Sequence, residues 1–296
     1  MNAAFYHAIV GAVLNAANDL LYRSSSAGKN REQVLSFYFF SSAFSAIISF
    51  VAGLFMYKGA IFDIPSIVYG VILGILSFSS YILFLFSFTG NNTSTAVTIF
   101  RLNMIPSIIL AVIFLNERIS LRRGIGIALS ISCIFLIAGF NISSKEEKKT
   151  RLLDKSTIMS LGACLFAGFI NFANKLAVNA GTQSFNLLLW RYIVVSLIAG
   201  LFLFKERRWE IKAGQWNISK KGLLIAFVSS VILWSSIVNM LIAMKTGDVA
   251  MIIPITQMAI VIIAVISWLF LKEKMHLRKV AGILLAVAAV ILISGD

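Results

Sequence analysis

The stretch Phe114-Leu-Asn-Glu-Arg-Ile-Ser-Leu-Arg-Arg-Gly-Ile-Gly126 returns 156 positions later as Phe270-Leu-Lys-Glu-Lys-Met-His-Leu-Arg-Lys-Val-Ala-Gly282. The two copies run on in register to Gly139 and Gly295, and 11 of the 26 paired residues are identical. Apolar composition alone matches leucine with leucine. It does not match Glu117 with Glu273, Arg122 with Arg278, Gly126 with Gly282 and Gly139 with Gly295 in one register. The same offset pairs Asn15-Ala-Ala-Asn-Asp-Leu20 with Asn171-Phe-Ala-Asn-Lys-Leu176, and Ser79-Ser80 with Ser235-Ser236. The chain is therefore an internal duplication, clear at its ends and weak where the second and seventh helices align.

Working outward, the composition says what each copy is made for. Of 296 residues, 59% are hydrophobic and only 13% charged, with mean hydropathy +0.91. A soluble domain carries about a quarter charged residues, so a soluble enzyme and a secreted disulfide scaffold both fit poorly. The net charge of +14 invites a nucleic-acid partner. The Lys and Arg, however, sit in short gaps between apolar runs, as in a membrane protein with basic loops. Cys133 and Cys164 lie inside apolar runs and suggest no disulfide. The first apolar run has no basic leader and contains Asn15, Asn18 and Asp19, so it is expected to be a membrane helix rather than a signal peptide.

Spanning helices need about 20 mostly apolar residues, because backbone amides in hydrocarbon must bond within the segment. Ten segments qualify: 3–22, 34–57, 67–88, 92–115, 121–140, 157–178, 185–204, 222–244, 250–271 and 280–294. The gaps at 89–91, 179–184 and 245–249 must be tight turns, for which Gly90, Asn91, Gly181 and Gly247 supply the chemistry. The Lys-Glu-Glu-Lys-Lys run falls in a polar linker, 141–156, that separates a first five-helix repeat, 1–140, from a second, 157–296. Loops after spans 1, 3, 5, 7 and 9 hold 18 of the 26 Lys and Arg, against five on the other side, counting Arg122 and Arg123 at the opening of the fifth span. The positive-inside rule places the first set in the cytoplasm and both termini outside.

A unit with five spans, copied in tandem, crosses the second time in the opposite direction. The expected fold is all-α and integral to the membrane: ten helices as two inverted repeats around a central cavity. Many secondary transporters share this plan and open to either side by exchanging the conformations of equivalent halves.

Five plus five spans, with Leu115-Asn-Glu117 and Leu271-Lys-Glu273 each followed by a glycine that closes the half, resemble the drug/metabolite transporter superfamily, EamA-type, over nearly the whole chain. The resemblance implies a multi-pass carrier in a cell membrane, of the bacterial inner-membrane kind, exporting or importing small metabolites, notably amino acids. It also implies a cavity lined mainly by helices 1, 3, 4, 6, 8 and 9, and termini drawn in the cytoplasm, opposite to the charge count. A proline eleven residues before each Glu is common in the family. Pro106 fits, whereas the second such position is Ile262, with Pro254 eight residues upstream.

Four charges lie well inside spans: Asp19, Arg101, Lys175 and Arg191. Each costs about 2.5–3.5 kcal/mol at a helix centre, so a partner or a function should offset it. Arg101 reads as a cavity cation for a carboxylate or phosphate, or as a structural arginine bonded to carbonyls or Asn side chains. Arg191 has the same two readings. Asp19 is a coupling carboxylate or a snorkelling residue near one mouth, and its repeat equivalent Lys175 is the same near the other. Asn15, Asn18, Asn171 and Asn174 fall at i, i+3 on equivalent helices, either as glue between helices or as cavity lining. Asn103, Asn239 and Gln257, the equivalent of Arg101, are further lining candidates. Pro106 and Pro254 free backbone carbonyls, as hinges or static kinks. Glu117 and Glu273 suggest capping or local pairing. Trp234 could stack on a substrate ring; Trp190, Trp209 and Trp216 look like interface anchors. His7 and His276 are isolated, without metal-ligand spacing.

The function expected is secondary transport, by alternating access, of a small polar or amphipathic metabolite: export of an amino acid or organic anion. Three intramembrane cations against one acid favour an anion. The alternative is a channel or lipid flippase on the same scaffold. An enzyme would need clustered acids or histidines, and ATP-driven transport a phosphate-binding Gly-Lys-Ser/Thr loop; neither is present. No cofactor or metal is expected. The expected partners are the substrate, membrane lipids and a possible second copy of the chain.

Overall fold

The computed structural model describes residues 3–26, 31–56, 63–87, 93–138, 155–207, 218–271 and 276–295. All regular structure among them is helical: α1 (Ala3–Ser26), α2 (Arg31–Met56), α3 (Ile64–Ser87), α4 (Thr93–Arg101), α5 (Met104–Leu115), α6 (Leu121–Ala138), α7 (Lys155–Asn179), α8 (Ser184–Arg207), α9 (Lys220–Thr246), α10 (Val249–Gln257), α11 (Ala259–Leu271) and α12 (Leu277–Ser294). Helices α4 and α5 follow one another as a single broken span, and so do α10 and α11. The result is ten rods. Eight are long and apolar enough to cross a membrane on their described residues alone. The other two are α1, which carries Asn15, Asn18 and Asp19, and α6, which opens on Arg122 and Arg123.

The two breaks fall at equivalent places, and only the first has a proline at the lost hydrogen bond. Pro106 has no N–H to offer the Leu102 carbonyl, and its ring crowds that oxygen. Leu102 O is taken instead by Ile105 N at 2.9 Å, in a tight turn around Leu102 and Asn103. In the second half the break is at Met258, the equivalent of Leu102. Ile262 keeps its N–H there and donates to Met258 O at 3.3 Å, so the interruption narrows to one residue. Pro254 lies four residues before that break, inside α10, and is not its cause.

The inverted arrangement shows in reciprocal contacts. A Cβ built on Gly126 would lie 2.6 Å from Ile293 Cγ1, and one on Gly282 would lie 2.6 Å from Ile137 Cγ1. Gly126 and Gly282 are repeat equivalents, as are Ile137 and Ile293. Each pair joins the start of one helix to the end of the other, so α6 and α12 are antiparallel across a pseudo-two-fold axis. Elsewhere the packing swaps partners in the same way, α1 against α9 as α7 against α3, and α10 against α1 as α4 against α7. Small residues permit the close approach that lipid does not itself drive: Ala4, Ala8, Ala12 and Ala16 form one buried stripe along α1. Gly70 and Gly74 of α3 lie against Trp190 and Val194 of α8.

Turns follow local chemistry. Asn116 ends α5 in the left-handed region (φ 54°), and Gly181 does the same between α7 and α8 (φ 77°), conformations those residues tolerate. Gly247 needs no such freedom, with φ −121°. Its reason is space, since a Cβ there would lie 2.9 Å from Ala4 Cβ. The expected turn at 89–91, the linker up to 154, Trp209, Trp216 and Glu273 lie outside the described residues.

Candidate functional site at the crossing of the broken helices

Arg101 is the last residue of α4, so the break after it carries the guanidinium to the middle of the molecule. It forms an ion pair with Asp19 of α1, and its Nη1 donates to Gln257 Oε1 at 3.4 Å. Because Arg101 and Gln257 are repeat equivalents, their contact lies on the pseudo-two-fold. Gln257 Nε2 donates to Asn103 Oδ1 at 3.0 Å. Asn171 of α7 donates to Asn103 Oδ1 at 3.3 Å and to Ser107 Oγ at 3.0 Å. Ser107 Oγ donates in turn to Asn103 O at 2.7 Å, with Gly168 O 3.4 Å away. Five elements thus meet in one hydrogen-bonded chain: Asp19, Arg101, Gln257, Asn103, Asn171, Ser107.

The charged end of that chain is reachable and the amide end is closed. The Arg101 and Asp19 side chains are 15% and 36% exposed, whereas Asn103 is 5% and Gln257 9% exposed. A ligand could therefore compete for the ion pair without dismantling the amides behind it. Asp19 lies inside α1, two turns from its end, facing Arg101 rather than reaching for a membrane surface. The central charge is consequently balanced, which removes the sequence argument that excess cations favour an anion.

Other candidates go elsewhere. Asn15 and Asn18 sit in the α1/α9 seam, where Asn15 Oδ1 accepts from Ser236 Oγ at 2.9 Å and Asn18 Oδ1 from Ser229 Oγ at 2.6 Å. Ser236 also bonds Gly11 O at 2.9 Å, and His7 Nδ1 lies 2.7 Å from Asn239 Oδ1. These rungs lace two helices together. Asn174 is fully buried, and neither its Nδ2 nor its Oδ1 has a partner among the described residues. Its equivalent Asn18 has Ser229, but the residue equivalent to Ser229 is Leu73, which offers no hydroxyl.

Lys175 donates to Met244 O at 2.6 Å and Gly247 O at 2.9 Å, satisfying the carbonyl end of α9. Trp234 is half-buried away from the network: its Nε1 donates to Ser49 Oγ at 2.8 Å and its ring stacks on Phe185 at 5.7 Å. Arg191 is buried in α8, with its Nε and Nη1 unpartnered among the described residues. Pro106 packs on α7, where a Cβ on Gly168 would lie 2.6 Å from its Cγ.

Glu117 acts across the repeat boundary. Its carboxylate accepts from Val249 N at 2.8 Å and Ala250 N at 3.0 Å, covering the free N–H groups that open α10. Next to it Arg123 Nη1 pairs with Asp248 Oδ2 at 2.7 Å, and Arg122 Nη1 donates to Gly295 O at 2.9 Å. These contacts and those of Lys175 lie on the terminal face, which carries the start of α1 and the end of α12. Sequence reasoning missed Ser107, Ser229 and the reach of Glu117. Serines are scattered through every span but the first, so nothing singled these out. Among the described residues no group of three or more His, Cys, Asp or Glu could hold a metal ion.

A solved crystal structure superposes with a TM-score of 0.77, covering 98% of this chain and 96% of that chain at 11% identity, a likeness of fold alone. No curated protein matches the sequence. The family model described as EamA-like transporter family matches twice, over residues 3–139 and 155–295. With ten rods, two antiparallel halves and a polar centre on the axis relating them, the chain belongs to the EamA-like transporter family, as a multi-pass membrane transporter.

Proposed function

We propose that this chain is a secondary transporter of small zwitterionic metabolites, amino acids being the class that fits best, working by alternating access. The observation that carries this reading is the reachable Asp19–Arg101 pair at the pseudo-two-fold. A zwitterion offers its carboxylate to Arg101, whose fork suits that group, and its ammonium to Asp19. One ion pair is then replaced by two, and no charge is left alone in a poorly solvated place. A simple organic anion would take Arg101 and strand Asp19. Export is the direction the family resemblance suggests. The Lys and Arg distribution supports a cell membrane with the loops after odd-numbered rods in the cytoplasm.

The test is a thermal-shift screen of purified protein against amino acids, organic acids and phosphate, repeated with Arg101→Ala and followed by counterflow in proteoliposomes. Amino acids should raise the melting temperature more than the matching acids without an amine, Arg101→Ala should abolish the shift, and counterflow should saturate. No stabilisation by any amino acid would contradict the substrate class. Non-saturable flux would favour the channel reading.

A further inference from the structure

The two halves share a fold, but equivalent positions in them carry different residues and make different contacts. In the first half Arg101 reaches Asp19. The equivalents of those residues, Gln257 and Lys175, do not meet. Gln257 is bonded to Arg101 and Asn103. The Lys175 ammonium is turned toward the terminal face, held by Met244 O and Gly247 O. On that face Glu117 holds the start of α10, and Arg123 and Arg122 bind Asp248 and Gly295. Each of these three contacts ties the first half to the second. The two halves are therefore tied together at the terminal face.

In an inverted repeat the opposite-facing state has the conformations of the two halves exchanged. A contact inside one half is then replaced by the contact between its equivalents in the other. Applied here, Asp19–Arg101 opens and Lys175–Gln257 forms, while Glu117 lets go of α10. We infer that Lys175 is the second cation of the binding site, leaving the carbonyls of α9 for the side of Gln257 when the terminal face opens. Arg101, released from Asp19, then stands with Lys175 around Gln257.

The ligand chemistry follows from the charges. The state described here presents one acid and one base. The exchanged state presents two cations, which together hold the ligand's carboxylate, while the freed Asp19 remains for its ammonium. Lys175 suits the exchange because its stem is long and flexible and its ammonium satisfies either a helix-end carbonyl or a bound anion. The inference rests on the transport reading proposed above, but it concerns geometry, and its test uses no substrate.

Two double-cysteine variants are made in a Cys133→Ala/Cys164→Ala background, Lys175→Cys/Gln257→Cys and Asp19→Cys/Arg101→Cys. Each is treated in membranes with a short bifunctional thiol reagent, with and without Glu117→Gln, which loosens the terminal face. The expected result is a trade. Glu117→Gln raises the first yield several-fold and lowers the second. Yields that do not move in opposite directions overturn the inference. Amine labelling of the native Lys175, read by mass spectrometry, gives a second measurement in case a cysteine pair does not fold. Its reactivity should rise in Glu117→Gln, and an unchanged value counts equally against the inference. Failure of amino acids to bind would leave both results standing, so the two readings fail separately.

Discussion

Asp19 and Arg101 hold each other in place at the centre, and their worth to the fold is measurable as a coupling. Replacing one alone leaves the other charge short of a partner in a half-shielded site, whereas replacing both removes the problem. A thermal-unfolding cycle with Asp19→Asn and Arg101→Met should give a coupling of roughly 0.5–3 kcal/mol. Purely additive effects would mean the pair is not formed in the membrane. The equivalent asparagines make a second contrast. Asn18→Ala removes the acceptor of the Ser229 hydroxyl and should destabilise by about 0.6–1 kcal/mol, the usual worth of such a bond between membrane helices. Asn174→Ala removes two buried groups that have no partner among the described residues, so it should be neutral or stabilising. Melting temperatures of the two variants decide this, and equal losses would contradict it. The i, i+3 spacing made all four asparagines look alike. Only the facing residue, Ser229 or Leu73, tells Asn18 from Asn174, and the pairing of helix faces is not written in one helix.

Among the elements, the antiparallel α6/α12 pair depends on two glycines. A Cβ on Gly126 would stand 2.6 Å from Ile293 Cγ1 and 3.1 Å from the Ala289 carbonyl oxygen, whereas one on Gly124 would meet nothing closer than 3.8 Å. Gly126→Ala should therefore destabilise by about 1–3 kcal/mol through overpacking. Gly124→Ala, two residues away, should be tolerated or gain about 0.5–1 kcal/mol from helix propensity. The start of α3 depends on Asp63, which accepts from Ser66 N at 3.0 Å and from Asn186 Nδ2 at 2.8 Å. Burial acts to raise the Asp63 pKa, but the hydrogen bonds from Ser66 and Asn186 outweigh it and the carboxyl is held below its ordinary value. A depressed carboxyl pKa stabilises the fold above the unfolded value and loses that contribution as pH falls through the folded one. Asp63→Asn should thus melt lower than the parent at neutral pH, and the gap should close below about pH 4. A gap that widens on acidification would reverse the sign of the shift. The rods themselves were legible as apolar runs, and the described helices agree with those runs to a few residues. The break at Met258 was not, because Ile262 stands where a proline would have marked it.

For the whole molecule, the 156-residue register carried most of what could be known beforehand. It located the axis, since equivalents that touch must straddle it, and Arg101 and Gln257 do touch. It could not show that Asp19 turns to Arg101, because the sequence places both in spans without saying which faces meet. Nor could it show Glu117 crossing to α10, because both motif glutamates looked able to pair within their own basic loops. Everything functional depends on the halves running in opposite directions. Side-specific labelling tests that directly at the motif with which the duplication was found. Ser120 and His276 are equivalent, exposed positions at the starts of α6 and α12. With the buried Cys133 and Cys164 replaced by alanine, Ser120→Cys and His276→Cys are each exposed to a membrane-impermeant maleimide in vesicles of known orientation. The inverted arrangement predicts that one position reacts only from outside and the other only from inside; reaction of both from the same side would contradict it.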